Sequence, residues 1–218
     1  MRQFKINEIF YSLQGEGSRI GQPCVFVRLQ GCNLRCSWCD TMYAVEMHHP
    51  FTIMSEDEII RQVSGYGCKF IEFTGGEPII HKGIAELMSK LCDLGYTVAV
   101  ETNGSVPLLY IDKRVIKIMD IKCPESGEHD KFLVDNLNYL NRYDEIKFVV
   151  ASMQDLIYAK QMIETHNLNS VCDEILISPV TGKIEPIEIA EYILSNRLNV
   201  RFQMQLHKII WDKDTRGV

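Results

Sequence analysis

The chain lacks any run approaching the roughly eighteen apolar residues of a membrane span, and its opening MRQFKINEIFY has no apolar signal core. Membrane insertion and secretion are therefore disfavoured. It also lacks an excess of positive charge: 23 Lys and Arg stand against 29 Asp and Glu, a formal net charge of -6. That balance argues against a nucleic-acid backbone as the main partner. No internal repeat, low-complexity tract or Ser/Pro linker divides the 218 residues, so residues 1–218 are expected to form a single domain. A chain of this length buries a sizeable core without covalent staples. Its 46% hydrophobic and 24% charged residues are those of an ordinary soluble globular protein.

What is abundant is cysteine, with eight in the chain. Four disulfides would suit a secreted mini-protein, but nothing here needs them. The expected setting is a reducing cytoplasm, where thiols are either small buried hydrophobes or metal ligands. Spacing decides between the two.

Short β-branched runs alternate with amphipathic stretches. Strands are predicted at 25–29, 70–73, 97–101, 115–121, 146–150, 175–178 and 200–205, and helices at 55–63, 83–94, 130–140, 152–165 and 185–196. Ser55 with Glu58 has capping-box spacing, and Gly95 closes a helix in the C′ style. Repeated strand–helix–strand order implies parallel pairing, because parallel strands need a crossover. The fold class is α/β. A partial (β/α)6-type barrel, with room for a reduced layer of outer helices, leads over a doubly wound sheet.

The polar signatures gather where strands end: Gly31–Thr41, Thr74-Gly75-Gly76-Glu77-Pro78, Glu101-Thr102-Asn103-Gly104, Asp120–Pro124 and Gln205–Lys208. In a parallel barrel these ends converge on the rim where active sites are built. Turn formation accounts for the Gly, Asn and Pro, but not for Glu, Lys, His and Cys on the same face. Cys32, Cys36 and Cys39 form C-x3-C-x2-C in one loop. Structural zinc wants a fourth ligand, which His48 or His49 could supply. Three thiolates on a four-iron cluster would instead leave one iron open to bind and activate a ligand, whereas electron-transfer clusters normally use four.

C-x3-C-x2-C with an aromatic before its third cysteine, followed by Gly-Gly-Glu-Pro after the next strand, resembles the radical S-adenosylmethionine (SAM) superfamily. Within it, YSLQGEG, FVRLQGCNLRCSWCDT, FTGGEP, ETNG and the late QLHK resemble the 7-carboxy-7-deazaguanine synthases over nearly the whole chain. The resemblance implies a [4Fe-4S] cluster on Cys32, Cys36 and Cys39. Its open iron would chelate SAM, whose reductive cleavage yields a 5′-deoxyadenosyl radical. It further implies a lyase that converts 6-carboxy-5,6,7,8-tetrahydropterin to 7-carboxy-7-deazaguanine with loss of ammonia, on the route to queuosine and related deazapurines. A flavodoxin-like or other low-potential reductant, a magnesium ion and a homodimer belong to the same expectation.

Site roles carry over residue by residue. Ser37, Trp38, Cys39, Gly75, Gly76, Glu77, Glu101, Asn103, Lys122, Cys123 and Gln205 are expected on the SAM side. Leu13, Gln14, Gly15, Glu16, Arg28, Thr74 and His207 are expected on the substrate. Thr41 is expected on magnesium, a hard ion that takes oxygen ligands and keeps its waters. Each has a plainer alternative. Glu77 could cap the next turn, Cys123 could be a buried thiol, and Thr41 could be a helix cap. Trp38 could simply cover the cluster, Asn103-Gly104 could be a turn dipeptide, and the glycines around Glu16 could make a ligand-free hairpin. Arg28, a charge between Val27 and Leu29 in an apolar run, suits a carboxylate fork better than a surface position. Gly75 and Gly76 are expected to let backbone approach a ligand closely. Cys24, Cys68, Cys92 and Cys172 are left as ordinary thiols. Two rivals remain: another radical SAM enzyme such as a glycyl-radical activase, and a non-catalytic Cys3His zinc module.

Overall fold

Alternation of β-branched strands with amphipathic helices produces an open α/β barrel. The computed structural model describes residues 2–212 and 215–218. Among them the elements run β1 (Gln3–Leu13), β2 (Pro23–Leu29), α1 (Met42–Val45), β3 (Thr52–Ser55), α2 (Glu56–Gly65), β4 (Phe70–Gly75), α3 (Ile84–Asp93), β5 (Thr97–Thr102), β6 (Ile116–Asp120), β7 (Glu145–Val150), α4 (Met153–Thr165), β8 (Glu174–Pro179), α5 (Pro186–Ser195), β9 (Arg201–Phe202) and α6 (His207–Ile210). The strands form one sheet in the order β3-β1-β2-β4-β5-β6-β7-β8-β9. From β2 to β9 every pair is parallel, while β1 joins β2 and β3 antiparallel. The sheet is mixed and does not close, in keeping with the partial barrel expected.

Period-2 alternation sorts each strand's side chains onto two faces. Val25, Val27, Ile71, Phe73, Val98 and Val100 pack outward with Ile59, Val63, Leu87 and Leu91 of α2 and α3. Ile146, Phe148, Ile175 and Ile177 pack likewise with Leu156, Ala159, Ile163 and Ile189 of α4 and α5. Inside the curve a smaller cluster of Cys24, Phe26, Phe70, Ala99 and Ile118 occupies the interior. Helix ends follow the sequence: Ser55 and Glu58 make a reciprocal capping box on α2, and Gly95 takes φ 81° after α3.

Three expectations change. The helix over 130–140 is two short 3-10 segments, His129–Lys131 and Val134–Tyr139. Buried Asn136 explains this: it accepts from Leu108 N and donates to Gly104 O and Val106 O, which fixes the backbone to its neighbours instead of to itself. The last strand shortens from 200–205 to Arg201–Phe202, because Gln203 turns toward the loop after β1. The sequence reading placed neither β1 nor its antiparallel partner β3, and β1 is the longer. Its register shifts between Ile6 and Glu8, and this bulge breaks the alternation by which strands are found.

The loop Gln14–Gly21 between β1 and β2 spans the gap that the open sheet leaves. Gly17 N donates to Gln203 Oε1 at 2.6 Å, Leu206 N donates to Gly15 O at 2.9 Å, and Arg19 pairs with Glu145 of β7 at 2.8 Å. Residues far apart in sequence thereby meet over the barrel interior.

Candidate active site

Side chains from the inner faces of the strands and from the loops at their C-terminal ends enclose a cavity of about 870 Å3. Cys32, Cys36, Trp38, Cys39, Thr41, Gly75, Gly76, Glu101, Asn103, Lys122 and Gln205 line it, as do Leu13, Gln14, Gly15, Glu16, Arg28, Thr74 and His207. Residues expected on cofactor and on substrate thus share one space.

On the cofactor side the cysteine loop is braced from outside. Ser37 N donates to Ser126 O at 3.0 Å and its hydroxyl donates to Glu125 O at 2.8 Å, so Ser37 faces the next loop and not the cavity. Leu34 N donates to Cys32 Sγ at 3.4 Å, and the Asn103 amide approaches the same sulfur at 3.8 Å. Burial raises the Cys32 thiol and pushes Cys36 up to about 11, with Lys122 opposing the shift at both. Lys122 is itself held above its ordinary value because Asp120 and Cys36 outweigh its burial. A cationic group acting on two of three thiols with a shared opening suits a cluster whose ligands must be thiolates. Asp120 Oδ1, buried at the same wall without a hydrogen-bond partner, offers a further acceptor to a bound group.

The Gly-Gly-Glu segment has a packing role in the structure. A Cβ on Gly76 would overlap the Gly31 carbonyl, and one on Gly75 would overlap the Leu29 backbone. Gly76 N donates to Leu29 O and Glu77 N donates to Gly31 O. These glycines let β4 lock against the start of the cysteine loop, backbone to backbone. Glu77 is fully buried and does not line the cavity; its carboxylate accepts from Ile79 N, Thr102 Oγ1 and Asn103 N. Its pKa is pushed up to about 7 by burial, against those three bonds. Cys123 is likewise buried off the cavity, in the outer core, with its thiol raised well above the usual range by burial.

On the substrate side the network is ionic. Glu16 Oε1 accepts from Gln205 Nε2 at 2.7 Å, and its Oε2 accepts from Lys147 Nζ at 2.8 Å and Gln203 Nε2 at 3.2 Å. Burial alone would raise Glu16, but Lys147 and Gln205 hold it below the ordinary carboxylate value. Lys147 also pairs with Glu101, which accepts from Thr74 Oγ1 at 3.1 Å. Glu72 accepts from the Gln14 amide, and burial and the neighbouring Glu101 raise its pKa well above normal. Arg28 Nε donates to Glu8 at 2.8 Å while its guanidinium lies 5.6 Å from the Phe10 ring and 5.7 Å from Tyr43. His207 stands against Gly15, where a Cβ would meet its Nδ1.

Thr41 occupies the cap position of α1 yet makes no capping hydrogen bond, so its hydroxyl stays on the cavity wall, 3.7 Å from Cys39 Sγ. The neighbouring Asp40 pairs with Lys208 at 2.9 Å and ties the cysteine loop to α6. His48 and His49 stand with Glu46, and the grouping does not include the cysteines. Among the described residues, neither histidine is grouped with the cysteines as a Cys3His zinc site would need.

Sequence reading missed Glu72, Lys147 and Glu8. The first two carry the signal that identified Arg28: a charge on the inner face of an otherwise apolar strand.

Residues 26–122 match the model of the radical SAM superfamily. The 7-carboxy-7-deazaguanine synthase of Chlorobaculum tepidum is 46% identical over 98% of this chain and 96% of its own length. The enzyme of the same name from Clostridium acetobutylicum is 42% identical over 99% of each. The crystal structure of QueE from Escherichia coli superposes with a TM-score of 0.79 at 26% identity, covering 94% of this chain and 95% of that one. The fold, the three-cysteine loop and the superfamily match define a radical SAM enzyme, whose cofactors are a [4Fe-4S] cluster and SAM. With near full-length identities of this order, the chain belongs to the 7-carboxy-7-deazaguanine synthase family.

Proposed function

We propose that this chain, acting as one domain over 1–218, converts 6-carboxy-5,6,7,8-tetrahydropterin to 7-carboxy-7-deazaguanine with loss of ammonia, toward queuosine and related deazapurines. The observation that carries this reading is the shared cavity: the three cysteines open into the same space as Arg28, Glu16 and His207. Product and ammonia together account for every atom of the substrate, so the conversion is redox-neutral overall. When bound, the reduced cluster and SAM supply a carbon radical that abstracts hydrogen. Cys32, Cys36 and Cys39 would hold the cluster, and Trp38 and Asn103 would flank it.

The remaining work is binding and orientation. Lys147 keeps Glu16 ionised, so its carboxylate can accept N–H donors from the guanidine-like pterin edge. Arg28, aligned by Glu8, offers its guanidinium fork to the substrate carboxylate. Gln14, oriented by Glu72, supplies an amide to the ring. The Thr41 hydroxyl, on the cavity wall and not spent on a helix cap, supports a role for magnesium, whose remaining ligands would be substrate oxygens and water. The Glu101–Thr74 pair faces the shared cavity, and residues 215–218 line it together with Arg28 and Tyr43. Turnover requires a one-electron donor of low potential, of the flavodoxin type, and the assembly is a homodimer, which light scattering checks.

Anaerobic turnover of the carboxylated pterin with reductant, SAM and magnesium tests the activity. Product and ammonia in equal amounts are expected by mass spectrometry and ammonia assay. SAM cleavage without either product would overturn the substrate assignment.

A further inference from the structure

The two histidines that do not join the cysteines have a different arrangement of their own. His48 Nε2 lies 3.3 Å from Glu46 Oε2, and His49 Nε2 lies 3.7 Å from that same oxygen. One ligand atom from each of the three lies within 4.8 Å of the others. Two ligands each about 2.05 Å from one tetrahedral ion stand about 3.3 Å apart, so little rearrangement separates these atoms from a chelate. The two imidazole rings lie side by side, 4.4 Å apart at 30°.

The backbone beneath is fixed before any ion arrives. Glu46 N donates to Met42 O at 3.1 Å, and His49 N donates to Glu46 O at 3.2 Å. Gln30, only 1% exposed, reaches out of the core to donate its amide to Glu46 O at 2.6 Å and to Tyr43 O at 3.1 Å. Asn7 secures the far end through Pro50 O. Ligands on a pre-set loop lose less conformational freedom on binding than ligands on a mobile one. The side chains themselves remain open to solvent, which provides an entry path and positions for water.

We infer that Glu46, His48 and His49 form a surface site for a divalent transition-metal ion of the zinc class, separate from the cysteine cluster. Two imidazoles and one carboxylate match the donor preference of zinc, whereas magnesium takes oxygen ligands. Three protein ligands leave at least one position for water. The site requires neither the cluster nor the pterin, so its failure would leave the proposed activity untouched.

The test uses anaerobically reconstituted enzyme, in which the cysteines already carry their cluster. Equilibrium dialysis against zinc with elemental analysis should give one zinc per chain beyond the cluster iron. X-ray absorption at the zinc edge should show nitrogen and oxygen neighbours with no sulfur. The double variant His48→Ala/His49→Ala should lose that zinc and keep its iron and sulfide, while Glu46→Gln should bind more weakly. Unchanged zinc uptake by the double variant, sulfur in the zinc shell, or no uptake by the parent enzyme would each overturn the site.

Discussion

The cofactor and substrate walls of the cavity are built from different materials. The cofactor wall is a backbone joint: Gly75 and Gly76 close onto Leu29 and Gly31, and the one carboxylate of the motif, Glu77, turns inward to three donors. The substrate wall is a charge lattice in which Lys147 joins Glu16 to Glu101, Glu72 holds Gln14, and Glu8 aligns Arg28. A backbone joint has no rotamers and fixes position. A lattice of side chains can re-form around a ligand that exchanges charge and hydrogen bonds with it. A cluster that must sit at one distance from its target suits the former, and a polar substrate that enters and leaves suits the latter.

Damage to the cofactor wall should be abrupt. Cys36→Ala should abolish SAM cleavage while leaving the melting profile of the metal-free chain nearly unchanged; retained cleavage would show that the triplet does not hold the catalytic cluster. Gly76→Ala comes next. Its Cβ meets backbone that cannot move aside, an overpacking of about 3 kcal/mol. Iron content after reconstitution and thermal stability should fall together. An intact cluster in a well-folded Gly76→Ala variant would break the proposed joint.

Damage to the substrate wall should be graded. Lys147→Met leaves Glu16 and Glu101 without their cation, a change worth about 3 kcal/mol for buried pairs and less here, where both carboxylates are partly exposed. Cofactor binding should survive. The KM for the pterin should rise, and rise further as pH is lowered, because Glu16 loses the partner that holds it below its ordinary 4.5. A pH-independent loss of kcat alone would point to a different role. Arg28→Ala should weaken substrate binding by about 2 kcal/mol, roughly thirtyfold, through loss of a charge-assisted fork. Unchanged substrate affinity would remove Arg28 from the site.

The same division governs how much was legible in the chain. The rim of the cofactor wall is written in cysteines, glycines and a proline at fixed spacing, which made it stand out in the sequence; the packing it also does, Glu77 as a cap and Gly75 and Gly76 against backbone, has no such signature. The lattice was read only in part: Glu72 and Lys147 are charges inside apolar strands, as Arg28 is, but no motif lies beside them to draw notice. Arg28 stood out for its charge, but its partner Glu8 sits on β1, whose bulge hid the strand. Asn136 shows the converse error, where an amphipathic stretch was captured by one buried amide.

The finest discrimination comes from Glu72, where the lattice meets the apolar interior. Burial and the charge on Glu101 raise its pKa well above 4.5, so the folded protein retains a proton that the unfolded chain has released. Its contribution to stability is fully present below about pH 4.5 and is lost as pH rises through the raised value. Glu72→Gln keeps a neutral acceptor for the Gln14 amide and removes the titration. The variant's advantage in melting temperature over the parent should therefore grow as pH rises above about 4.5, by at most about 1.4 kcal/mol per pH unit, or about 3–5 °C for a chain of this size. Parallel stability profiles would mean that Glu72 is solvated as readily as the carboxylates of the substrate side, and the boundary between lattice and core would have to be drawn below it.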